Sequence, residues 1–118
     1  MRHQVSKLKL GLPRDQRVMM MGNLATSLVL HEKIKTTKAK AKALQPFMDK
    51  LINSAKKTDK TMAMREVNAI LHSNLSAKKM MEEIIKRYAE KSGGYTRIVS
   101  LGFRPGDAAP IVQIELVD

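Results

Sequence analysis

Apolar residues follow the three- and four-residue spacing of a helix through much of the chain. From Pro13 to about His31 the stripe is Met20, Met21, Leu24 and Leu28, with Val18, Met19, Val29 and Leu30 spreading apolar character to other sides. A helix apolar on several sides is buried on several sides, so part of this one is expected to face a partner. Pro13 suits its first turn, and Asp15 complements the dipole there. The β-branched run Lys33–Thr37 predicts a short strand, after which Thr37 caps a helix reaching about Lys57. In that helix Leu44, Phe47, Met48, Leu51, Ile52 and Ala55 share one face, and Pro46 removes a backbone bond with a kink expected.

A polar turn at 56–60 leads to a third helix over about 61–72, with Ala63, Val67, Ile70 and Leu71 inward. Ser76 is expected to cap a fourth, striped by Ala77, Met80, Met81, Ile84 and Tyr88 and stopped at Gly93-Gly94. Two strands follow, over 95–101 and 111–117. In the second, Val112, Ile114 and Leu116 alternate with Gln113 and Glu115, the pattern of a sheet with one wet face. Pro105-Gly106 fit the centre of a type II turn between them. The architecture expected is α+β in two layers: four helices on one face of a small three-stranded mixed sheet. An extended basic arm over 1–13 precedes a single globular domain over 14–118.

Charge turns this outline toward function. The 118 residues carry 22 Lys and Arg against 11 Asp and Glu, a formal net charge of +11. Residues 1–58 hold 13 of the cations and only Asp15, Glu32 and Asp49 as acids; the remainder is nearly balanced. Such an asymmetry marks a polyanion partner. Without a basic amphipathic helix rich in Trp or Phe, nucleic acid is favoured over lipid. With no Cys there are no disulfides or thiolate metal sites, and no apolar run reaches the ~20 residues of a membrane span. A cytoplasmic protein is expected.

Arg2, Lys7 and Lys9 give the first segment charge of one sign; the alternative is a frayed terminus. Between Lys33 and Lys42 lie Lys33, Lys35, Lys38, Lys40 and Lys42. The last three open the helix that Thr37 caps, where cations oppose the macrodipole and free N–H groups attract anions. A phosphate there would explain the arrangement; a solvated lysine face is the plainer alternative. By helical angle Lys38 and Lys42 face solvent, whereas Lys40 lies beside the apolar stripe and must snorkel.

In Gly93-Gly94-Tyr95-Thr96-Arg97, Tyr95 and Arg97 would project from one strand face, Tyr to stack on an unpaired base and Arg to bind phosphate. Met19–Met21 and Met80-Met81 read as core packing. His3, His31 and His72 are far apart and give no metal-ligand set. His31-Glu32 reads as a helix end, and Glu82-Glu83 point about 100° apart on a helix. No nucleophile–base pair is visible, so neither enzyme nor cofactor is expected.

The strings MRH (1–3), SLVLHEKIKTT (27–37), AKAKAL (39–44), GGYTRI (93–98) and FRPGDAAPIVQIELVD (103–118) closely resemble the bacterial large-subunit ribosomal protein seventeen family. They keep that family's order and span nearly the whole chain. The resemblance implies a globular α+β domain with a basic arm, binding 23S ribosomal RNA near the peptide exit side of the large subunit, beside other ribosomal proteins. Carried over position by position, it adds Arg2, His3, Arg17, His31, Lys35, Lys40, Lys42, Arg97 and Arg104 as RNA contacts; Lys7, Lys9, Arg14, Lys33, Thr37, Lys38 and Tyr95 complete the set expected from the residues themselves. Gln4, Gln16, Gly22 and Leu30 depart from basic positions of the family, and Lys38 is an added cation. No small-molecule substrate, membrane contact or obligate homo-oligomer is expected, and a free-standing nucleic-acid-binding regulator is the alternative that charge alone permits.

Overall fold

A computed structural model describes residues 13–117; Arg2, His3, Gln4, Lys7 and Lys9 of the expected arm lie outside the described residues. Helix α1 spans Arg14–His31, strand β1 Lys33–Thr37, helix α2 Lys38–Ala55 and helix α3 Lys60–Ile70. Helix α4 covers 74–87: an α segment Asn74–Lys79, a π-type turn Met80–Ile84 and a last turn Ile85–Arg87. Strands β2, Thr96–Phe103, and β3, Pro110–Leu116, complete the chain.

The sheet order is β1-β3-β2, and both pairings are antiparallel, so the expected mixed sheet is corrected to an antiparallel one. A mixed sheet would need a parallel crossover, whereas β2 and β3 form a hairpin and β1 meets β3 head to tail. Val112, Ile114 and Leu116 on β3 are buried beneath α1 and α2, while Gln113 and Glu115 alternate to the wetter face. Leu28 and Val29 of α1, Leu44, Met48, Leu51 and Ile52 of α2, and Met80 and Ile84 of α4 fill the core. Each such side chain contributes about 1.5–3 kcal/mol on full burial. Helix α3 packs chiefly on α2 through Ala63 and Val67.

Helix ends account for most of the differences from expectation. Pro13 sits just outside α1 at the cap position instead of in the first turn. Ser73, not Ser76, caps α4: its Oγ accepts the Ser76 N–H at 3.4 Å, and Ser76 Oγ donates back to the Ser73 carbonyl at 2.7 Å. Asp59 caps α3 by accepting from the Thr61 and Met62 N–H groups. Helix α2 continues through exposed Pro46 to Ala55. Met21, Met48 and Met80 are core residues, but Met19 is 63% exposed beside Val18 at 57%, so among the described residues nothing covers that side of α1.

Candidate nucleic-acid interface

The lysine-rich segment is placed by the turn between α1 and β1. Helix α1 ends on Glu32, whose backbone takes the left-handed conformation at φ 65° and donates its N–H to the Leu28 carbonyl at 2.7 Å. The Glu32 side chain pairs with α4 and not with the lysines that follow. It accepts from Arg87 Nη1 at 2.6 Å, Arg87 Nη2 at 3.2 Å and Lys79 Nζ at 3.0 Å, two cations of α4. These hydrogen bonds, Arg87 foremost, hold the Glu32 carboxyl down at about 2 against a gain from partial burial. The one acid of the segment is thereby spent on α4. His31 beside it is exposed and forms no catalytic pair with it.

Lys33 and Lys35 then point outward from β1, opposite Glu115 and Gln113 of β3. Arg97, from β2, faces Glu115 across the same strand and donates through Nε at 2.9 Å and Nη2 at 2.7 Å. That contact holds the Glu115 carboxyl below its ordinary range. Thr37 caps α2 by accepting the Lys40 N–H, though at 3.4 Å, near the outer limit of such a bond. Lys38 and Lys42 are exposed, and Lys40 is half-buried beside buried Ala41, as the helical angles require. Lys35, Lys38, Lys40 and Lys42 form no ion pair among the described residues.

The β2–β3 hairpin brings the last cation to this end of the sheet. Arg104 grips Asp107 with Nε on Oδ1 at 3.1 Å and Nη2 on Oδ2 at 2.5 Å, while Asp107 Oδ1 also accepts the Ala109 N–H at 3.2 Å. The fork holds Asp107 down at about 2 and raises Arg104. Gly106 has the positive φ, 99°, that the expected turn needs, but the closing bond runs from the Ala108 N–H to the Arg104 carbonyl, one residue later than in a type II turn. Between hairpin tip and β1 end lies an open groove of about 610 Å³. Lys35, Thr37, Lys40 and Arg104 meet there, beside Leu101 and Phe103.

Other expected residues are elsewhere. Arg14 and Arg17 occupy the first turn of α1, and the helical rise puts Arg14 about 25 Å from His31 at the far end. Arg97 shares its face with Lys33 instead of the groove. Tyr95 is a correction: it is fully buried and cannot stack on a base from that position. Strand β2 starts only at Thr96, so Tyr95 is not bound to the face of Arg97 and turns inward. Its hydroxyl lies 2.6 Å from Asn53 Oδ1 and 2.8 Å from the Lys91 carbonyl, and accepts from Lys56 Nζ at 3.2 Å. Its ring packs against that of Tyr88, centroids 5.1 Å apart.

Sequence reasoning missed Phe103, Lys79, Arg87 and the Glu32 hub. Gly22, one of the departures from basic positions, is buried against His72 and has no room for a longer side chain. Among the described residues no group of His, Asp or Glu could hold a metal ion, and no helix is long and apolar enough to cross a membrane.

Comparison with known proteins decides the family: the profile described as Ribosomal protein L17 matches residues 20–117. The chain belongs to the ribosomal protein L17 family. Relatives named Large ribosomal subunit protein bL17 agree over the full chain, at 45% identity in Hyphomonas neptunium and 44% in Rickettsia africae, covering 84% and 86% of those proteins. The relative of the same name from Desulfosudis oleivorans is 46% identical over 99% of this chain and 56% of its own length. This L17-family chain is therefore a ribosomal protein of the large subunit, a component of a ribonucleoprotein in translation.

Proposed function

We propose that this protein binds and stabilises folded 23S ribosomal RNA within the large subunit, through its basic N-terminal arm and the lysine-rich start of α2. The observation that carries the reading is that Lys35, Lys38, Lys40 and Lys42 crowd a helix start with no carboxylate partner among the described residues, while Glu32 is held by α4. Mutual repulsion there is relieved by phosphate. Arg14, Arg17, His31, Lys33, Arg97 and Arg104 add further contacts, the last two by exchanging or sharing their carboxylate partners with RNA. Exposed Val18 and Met19 offer apolar surface to neighbouring large-subunit proteins.

The protein acts in the bacterial cytoplasm as a structural, non-enzymatic constituent, without cofactor, membrane partner, small-molecule substrate or obligate self-association. Replacing Lys38, Lys40 and Lys42 by Gln should weaken binding to large-subunit RNA. The slope of log affinity against log salt should flatten by about 0.7–0.9 for each phosphate the variant no longer neutralises. An unchanged slope would remove the α2 start from the interface. Tagged protein running free of ribosomal particles in a high-magnesium gradient would favour a free-standing nucleic-acid-binding regulator instead.

A further inference from the structure

Phe103 is the exception among the aromatics of this chain. The sequence has only two Tyr and two Phe. Tyr88 and Tyr95 are buried, and Phe47 packs against the core half-buried. Phe103 is 74% exposed, where full burial would be worth about 1.5–3 kcal/mol. The backbone is built to present it. Register passes from Ser100↔Val112 to Gly102↔Ile111, leaving Leu101 as an additional residue, and Gly102 takes φ 126° at this bulge. Bulges bend a strand and re-aim the side chains beyond them. Here the result is that Phe103, opposite Pro110, stands on the rim of the groove that also holds Lys35, Lys40 and Arg104.

An uncovered aromatic ring among cations matches two parts of one nucleotide, since every base has a stacking face and every link a phosphate. An apolar peptide would leave Lys35 and Lys40 unanswered, and an acidic one would leave the ring without a flat partner. The neighbouring carboxylate, Asp107, is occupied by Arg104. We infer that the groove between the β2–β3 hairpin and the start of α2 receives one unpaired nucleotide of RNA, its base stacked on Phe103 and its flanking phosphates on Lys35 and Lys40. This rests on the RNA-binding reading above and adds to it a site that selects a base out of its stack.

The chain contains no Trp, so Phe103→Trp in the full-length protein supplies a single reporter at the site. Hexa-adenylate and an abasic hexamer of the same ribose-phosphate backbone then separate base from charge. The expected result is quenching of Trp fluorescence by hexa-adenylate and not by the abasic oligomer. Wild-type protein should prefer hexa-adenylate by about fivefold or more, the effect of one base–aromatic stack. Phe103→Leu should lose that preference while keeping its affinity for the abasic oligomer. Lys35→Gln with Lys40→Gln should weaken both oligomers alike. Equal binding of both oligomers without selective quenching would overturn the nucleotide site and leave the RNA-binding reading standing. Failure to bind either oligomer or large-subunit RNA would overturn both. Quenching by an apolar or acidic peptide, with none by hexa-adenylate, would make the groove a protein-docking site and refute the inference.

Discussion

Gly22→Ala sets a helix-propensity gain against a defined clash. Gly22 is buried within α1, and in an unobstructed helix interior alanine would be worth about 1 kcal/mol over glycine. Here an added Cβ would stand 2.7 Å from His72 Nε2, 2.8 Å from His72 Cε1 and 2.9 Å from the Ile70 carbonyl oxygen. The carbonyl is backbone and cannot rotate aside. The imidazole is tethered on one side, its Nδ1 2.5 Å from Asn23 Oδ1, and the backbone N–H of His72 donates to Thr26 Oγ1 at 3.0 Å, which holds the residue against α1. Overpacking of this kind costs about 1–3 kcal/mol, and a displaced hydrogen bond costs about 1 kcal/mol more. The balance is a loss of about 1–3 kcal/mol, lowering the melting temperature by about 4–12 °C in a domain of this size. Urea titration followed by circular dichroism, with calorimetry for the thermal midpoint, measures both. In a His72→Ala background two of the three close approaches vanish, so the same substitution should cost about 1 kcal/mol less. A gain in stability for Gly22→Ala would refute the reasoning; an equal cost in both backgrounds would refute the part assigned to His72.

Four further outcomes are expected. Because the Glu32 carboxyl is lowered from 4.5 to about 2, its stabilising contribution is complete above pH 4.5 and is lost as pH falls toward 2. The carboxylate is 38% exposed and screened, so Glu32→Gln should cost only about 1 kcal/mol at pH 7, and denaturation curves of variant and parent should converge near pH 2. Tyr95→Phe should cost about 1 kcal/mol of stability with RNA affinity unchanged, and a fall in affinity at full stability would return Tyr95 to the interface. Asp107→Asn should speed amide exchange at Ala109, whose N–H its Oδ1 accepts, and unchanged protection would show the turn to be held by backbone alone. Deleting 1–12 should leave the fold intact by circular dichroism and impair incorporation into large subunits; unfolding would show that the arm belongs to the core.

Periodicity made the helices legible because their stripes meet one large core. In α2, Leu44, Met48, Leu51 and Ile52 recur at helical spacing and all are buried. Ends were less legible, since they depend on which of several capable residues wins. Ser73 and Ser76 are both competent caps, and only their reciprocal bonds select Ser73. The π-type turn at Met80–Ile84 leaves no trace in an apolar stripe. At the site, the lysines were readable from charge and position together. Tyr95 was not, because its direction depends on whether the strand begins before or after it. Phe103 was hidden for another reason: the expected strand ended at Leu101 and left it in the connection, whereas the strand continues past a bulge at Leu101 to Phe103, which stays in water. Glu32 read as a minor offset to the lysines, when its partners lie about fifty residues away in sequence.

The order β1-β3-β2 also has a consequence in time. The central strand is the last of the described elements to be synthesised, and about seventy residues separate the end of β1 from the start of β3. At translation rates of about 5–20 residues per second, β1 waits roughly 4–15 seconds for its only partner in the sheet. Throughout that interval a nascent chain already carries its lysines, but the apolar face of α2 lacks the central strand and the groove lacks its hairpin wall. Charge attraction to RNA is thus available early, whereas shape is not. Any recognition that depends on the hairpin must follow the arrival of β3; on the inference drawn above, this strand is the step that turns an emerging polycation into a selective one.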